Sequence, residues 1–140
     1  MADNEAITVY VDGAAKGNPG PAGIGVRLEL KGVVLSEHSE YIGKATNNVA
    51  EYKALIYGLE IARRYRITRV SVISDSELMV RQLNGKYKVK NEKLLPLYTF
   101  VRELAGTFEE FRIRHVSRTE NQYADRLANQ GIKDGLKRKS

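Results

Sequence analysis

The chain has 140 residues, of which 42% are hydrophobic and 29% charged, with no cysteine, no tryptophan and a formal charge of +6. That length suits one globular domain, expected to span residues 1–140 with a basic tail at 137–140, and the balance is that of a folded chain rather than a disordered one. The missing cysteines exclude a disulfide framework, a thiolate metal centre and a thiol nucleophile. The start, Met1 to Glu5, is polar and acidic and so unlike a signal peptide, and no apolar run approaches the roughly 20 residues that span a bilayer. A cytoplasmic protein without membrane contact is expected, and the positive charge suits a polyanionic partner such as nucleic acid.

Ile7 to Asp12 alternates apolar and polar residues and reads as a strand. Gly17-Asn18-Pro19-Gly20-Pro21 is a turn-rich loop. Ile24 to Leu30 and Val33 to Tyr41 form a hairpin pair turning at Lys31-Gly32. From Asn48 to Arg64 the period becomes 3.6, with Leu55, Leu59 and Ala62 as an apolar stripe and Gly58 allowing close packing. Arg69 to Ser74 is a strand, followed at once by a helix from about Asp75 to Leu83. Leu94, Leu97, Tyr98, Val101 and Leu104 mark a further helix, Phe111 to Val116 a fifth strand, and Glu120 to about Lys133 a last helix. This order predicts an α/β fold: a five-stranded mixed sheet, three strands antiparallel and then two parallel, with helices on both faces.

Four acids stand where a basic, polyanion-binding chain has little use for them. Asp12 ends the first strand and Asp75 ends the fourth. If those strands lie parallel and adjacent, both carboxylates emerge at one carboxyl edge, where open α/β sheets place their sites. Glu51, in the first turn of its helix, heads the stripe of Leu55, Leu59 and Ala62, and Asp125 sits near the start of the last helix among Ala124, Ala128 and Gly131. Each acid has a plainer reading. Asn48 with Glu51, and Ser74 with Glu77, fit capping boxes. Asp75 is then a first-turn acid, Asp12-Gly13 a turn dipeptide, and Asp125 a solvated helix residue. Together the plain readings fail, because clustered carboxylates repel unless a cation neutralises them. Oxygen-only ligands favour a hard ion, Mg²⁺ or Mn²⁺.

Four segments carry a resemblance: Val11 to Asn18, Thr46 to Glu51, Ser74-Asp75-Ser76 and Asn121 to Asp125. In this order and spacing the chain resembles the type 1 ribonuclease H family. The resemblance implies the RNase H-like fold and endonucleolytic cleavage of the RNA strand of RNA–DNA hybrids. It implies Asp12, Glu51, Asp75 and Asp125 as ligands of two Mg²⁺ or Mn²⁺ ions, leaving 5′-phosphate and 3′-hydroxyl ends. It also implies substrate contacts from Asn18, Asn47 and Asn48 in the hybrid's minor groove, from Thr46 and Asn91 at phosphate on the DNA strand, and from Gly13. The plainer reading of Thr46 is a helix cap, and of Asn91 a loop turn. Partners expected are the hybrid duplex, with double-stranded RNA as a second candidate, acting on a monomer. The alternative function is a catalytically weak module of the same fold that binds hybrid or double-stranded RNA.

The chain departs from many members of that family in three ways. Only Asn84 to Asn91 lies between the second and third helices, so the longer basic protrusion is absent. No tryptophan can line a DNA groove. His115, at a tempting separation from Asp125, alternates with Phe111 and Ile113 as a strand residue and is not placed in the site.

Overall fold

In the computed structural model, residues 5–139 are described; the acidic start at Met1 to Asn4 and the last tail residue, Ser140, lie outside them. The chain runs β1 (Ile7–Ala15), β2 (Gly20–Leu30), β3 (Val33–Ala45), α1 (Asn47–Ala62), β4 (Arg69–Ser74), α2 (Glu77–Leu83), α3 (Leu95–Ala105), β5 (Glu110–His115) and α4 (Gln122–Lys139). The sheet order is β3-β2-β1-β4-β5. β1, β2 and β3 pair antiparallel, and β1, β4 and β5 parallel, as the sequence predicts.

Several boundaries differ from the sequence reading, each for a tertiary reason. Asp12 does not end β1: pairing with β2 continues to Ala15 opposite Ala22. β2 begins at Gly20, inside the expected turn loop, because Gly20 and Pro21 already pair with Ala45 and Lys44 of a β3 that runs past Tyr41. A short 3-10 turn, Arg118–Asn121, precedes α4, and α4 continues beyond Lys133 to Lys139. Gly131 and Gly135 of this helix are points of close contact, where a Cβ would run into the Glu40 backbone and the Tyr41 ring.

The two sheet faces are covered differently. On one face Val9, Val11 and Val26 pack under α1, whose Gly58 leaves no room for a methyl group. Burial of Leu55, Leu59 and Tyr52 on that side forms the main core, extended by Val101 and Leu104 of α3. On the other face α4 lies directly on Gly23 and Gly25 of β2, with Ala124, Leu127 and Ala128 against them. The Ser39 hydroxyl donates to the Leu127 carbonyl at 2.5 Å and pins α4 to β3. No described helix is long and apolar enough to cross a membrane.

Pairing between β1 and β4 stops at Tyr10 opposite Ile73, although β1 runs on for five more residues. The sheet therefore splits at its carboxyl edge, and the split opens the cleft described next.

Candidate active site

Asp12 is the second β1 residue past the last β4 partner, and it is only 4% exposed. Glu51 comes from α1, where it is the fifth helical residue rather than a first-turn one. The expected capping box does not form: Thr46 caps α1, its hydroxyl accepting from the Val49 N–H at 3.2 Å. Glu51 is thereby free to face the sheet, and its Oε1 accepts the Gly13 N–H at 2.9 Å. Gly13 permits this, since a side chain there would strike the Ala50–Glu51 backbone.

Asp75 occupies the bend between β4 and α2. The second expected capping box is also replaced: Ser76 caps α2, accepting from Met79 N–H at 3.3 Å, and Ser74 ends β4 with its hydroxyl accepting from Ser76 N–H at 3.0 Å. The two serines leave the carboxylate between them unspent on helix capping. Asp125 lies in the first turn of α4. Arg118 reaches it at 3.5 Å, and the Asn129 amide donates to the Asp125 carbonyl at 2.9 Å and to its carboxylate at 3.4 Å.

One carboxylate oxygen from each of Asp12, Glu51 and Asp75 lies within 4.8 Å of the others. Asp125 stands beside this trio in the same cleft and adds to the upward push on Asp12. All four line a cleft of about 500 Å³ together with Asn47, Arg118 and Asn129. Burial, followed by repulsion from Glu51 and Asp75, pushes the Asp12 carboxyl up to about 10. Burial raises Glu51 to about 8 against the opposing pull of the Gly13 N–H, and burial also raises Asp75. Without a counter-cation the cluster must hold protons at neutral pH. The donor set is all oxygen, anionic and convergent, which is the chemistry that suits a hard divalent cation such as Mg²⁺ or Mn²⁺. The residues present fit such an ion, with Asp12, Glu51 and Asp75 as its nearest holders.

The expected substrate contacts fall into two groups. Asn18 and Asn47 join the site through the backbone: Ala15 N–H donates to Asn47 Oδ1 at 3.0 Å, and Asn47 N–H donates to Asn18 Oδ1 at 3.0 Å. Thr46 and the exposed Asn48 sit at the adjoining start of α1. Asn91 lies apart, in the loop before α3, where its Oδ1 accepts from Lys93 and Leu94 N–H at 2.8 and 3.3 Å. For Thr46 and Asn91 the cap and turn roles are thus both present. His115 ends β5 opposite Ser74, exposed and outside the cleft lining.

Sequence reasoning missed Arg118, Asn129 and Asn121. Asn129 follows Asp125 by four residues and Asn121 precedes it by four, so helical spacing places both on the face of Asp125. Arg118 carried no such signal, because its segment read as a loop.

The family model described as "Reverse transcriptase-like" matches residues 10–131. The bifunctional protein Rv2228c of Mycobacterium tuberculosis is 44% identical over 128 residues, 90% of this chain and 35% of that protein. The chain thus spans about a third of the length of the mycobacterial relatives it matches. Among solved structures, RNase H1 from the halophilic archaeon Halobacterium salinarum superposes with a TM-score of 0.89 at 39% identity, over 92% of this chain and 98% of that one. LC11-RNase H1 in complex with RNA/DNA hybrid gives 0.87 at 42% identity, over 93% and 99% of the two chains.

Proposed function

Because the chain belongs to the ribonuclease H family and matches the reverse transcriptase-like family model, we propose that it is a metal-dependent endonuclease that hydrolyses the RNA strand of RNA–DNA hybrids. The observation that carries this reading is the convergence of three carboxylate oxygens within 4.8 Å, with a fourth acid beside them, in a half-open cleft. Among the described residues no alternative nucleophile shares that cleft: its lining holds neither serine, cysteine, histidine nor lysine.

Asp12, Glu51 and Asp75 would hold the divalent cation, with Asp125 completing the set for a second ion. When bound, a pair of such ions would supply activation of a water and stabilisation of the leaving 3′-oxygen in an in-line displacement. The chain itself supplies position. Glu51 keeps one oxygen on the Gly13 N–H, so its carboxylate is fixed in orientation at the cleft wall. From there it serves the ribose 2′-hydroxyl, the group that distinguishes RNA from DNA. Asn18 and Asn47 have both carbonyl oxygens committed to backbone N–H groups, so each offers a duplex its NH₂ donors. Every base pair presents acceptors in the minor groove, so donors of this kind read the groove without demanding a sequence. All four acids come from one chain, and a monomer suffices.

The test is a labelled substrate panel of RNA–DNA hybrid, double-stranded RNA and double-stranded DNA, each with Mg²⁺ or Mn²⁺. Cleavage of the RNA strand of the hybrid, with double-stranded DNA left intact, is expected. Binding of hybrid without any cleavage would assign the chain to a binding module instead.

A further inference from the structure

Asn121 is 1% exposed, a polar side chain that the proposed reaction does not use. Its amide N–H donates to the Val11 carbonyl at 2.9 Å across 110 residues of sequence. The place of that bond matters. The β1–β4 ladder ends at Tyr10 opposite Ile73, so Val11 is the first β1 residue without a β4 partner, and Asp12 follows it. Asn121 closes the 3-10 turn Arg118–Asn121, whose start is capped by Ser117, and α4 begins at the next residue. The side chain therefore supplies a donor at the split in the sheet. It joins the strand carrying Asp12 to the helix carrying Asp125.

We propose that Asn121 is a positioning residue of the metal site, setting the separation between Asp12 and Asp125. The inference rests on the metal-dependent reading of the cleft. A buried amide is a costly choice for mere packing, all the more because Asn121 Oδ1 is buried with no hydrogen-bond partner among the described residues. An apolar residue of similar volume would fill the same space without an orphaned acceptor, but it would leave the Val11 carbonyl unpaired next to Asp12. What the amide provides is a directional tie between two ligand-bearing elements, of the kind whose loss typically weakens a metal site.

The matched control is Asn84. Its amide donates to the Ile113 carbonyl of β5 at 3.2 Å, the same type of tie at a strand away from the four acids. Wild type, Asn121→Ala and Asn84→Ala are compared by calorimetric titration with MnCl₂ alone, by melting temperature, and by kcat and KM on RNA–DNA hybrid. Both substitutions should lower the melting temperature. Only Asn121→Ala should weaken Mn²⁺ binding and lower kcat, each by about 10-fold or more, with KM little changed. Where Asn121→Ala does not fold, Asn121→Ser, which keeps a shorter hydroxyl donor, takes its place with the same expected direction. Wild-type Mn²⁺ affinity and kcat in a folded Asn121 variant would overturn the proposal. Failure of wild type itself to bind Mn²⁺ would overturn the metal-site reading beneath it, so the two failures are distinct.

Discussion

At the scale of single residues, the acids that make the site useful make the metal-free protein less stable. Asp12 and Glu51 are raised to about 10 and about 8, first by burial. Groups raised in the folded state contribute stability below their unfolded values, near 4, and lose it as pH rises through their folded values. Melting in EDTA should therefore fall steadily from pH 5 to pH 9, and saturating Mg²⁺ should recover much of the loss at the alkaline end. A melting temperature flat across that window would show that the carboxylates are not mutually strained. Asp75→Asn removes one of the crowded charges with little change of shape. In EDTA at pH 7.5 it should be more stable than wild type by something on the order of 1 kcal/mol. The gain should shrink at pH 4, where the remaining acids are protonated. Its hydrolysis should fall by several orders of magnitude, since an amide oxygen is a poor partner for a hard cation. A mutant that melts lower at pH 7.5 would make Asp75 a structural bend residue.

At the scale of elements, what was legible in the sequence was type and order, and what was not was length. Period-2 and period-3.6 patterns identify β1, α1, β4 and β5, although α1 and β4 are buried on more than one face. The end of β1 was misread because its last residues are ordered by pairing with β2, a long-range fact that local alternation does not carry. The end of α4 was placed near Lys133 rather than Lys139, because the contact that orders its last turns, Gly135 against the Tyr41 ring, is a long-range fact absent from the local pattern. The candidate site was legible for a related reason: an acid beside apolar neighbours is conspicuous, whereas Arg118, Asn121 and Asn129 are ordinary polar residues until the fold brings them to Asp125 and Val11. The close seat of α4 gives a direct test. A Cβ at Gly25 would come within 2.5 Å of the Ala128 nitrogen and 2.7 Å of the Leu127 Cβ. Gly25→Ala should cost about 1–3 kcal/mol by overpacking and lower activity by displacing Asp125. Gly106→Ala at the end of α3 meets nothing nearer than 3.4 Å and has ordinary helical backbone, so it should be neutral or slightly stabilising. Equal melting temperatures for the two variants would contradict the packing described here.

At the scale of the whole molecule, the proposed reaction assigns the +6 charge to holding a duplex and the acidic cleft to cutting it. The loop between α2 and α3 exposes Lys86, Lys88 and Lys90, and Lys86 and Lys88 border a cleft walled by Tyr87, Val89 and Tyr98. Each lysine that meets a phosphate should contribute roughly 0.7–0.9 to the slope of log affinity against log salt. Replacing all three by alanine should flatten the slope for hybrid binding by about 2. An unchanged slope would make the loop merely solvated.

The central claim is that four carboxylates cut RNA through divalent cations, and analysis of product ends tests it most directly. Hybrid carrying a labelled RNA strand is incubated with Mg²⁺, and in parallel with excess EDTA, and the fragment termini are identified. The account requires 5′-phosphate and 3′-hydroxyl ends with Mg²⁺ and an intact strand with EDTA, because water attacks in line and the 3′-oxygen leaves. Cyclic-phosphate ends, or cleavage that persists in EDTA, would mean that the ribose hydroxyl itself attacks and that the acidic cluster is not the reaction centre.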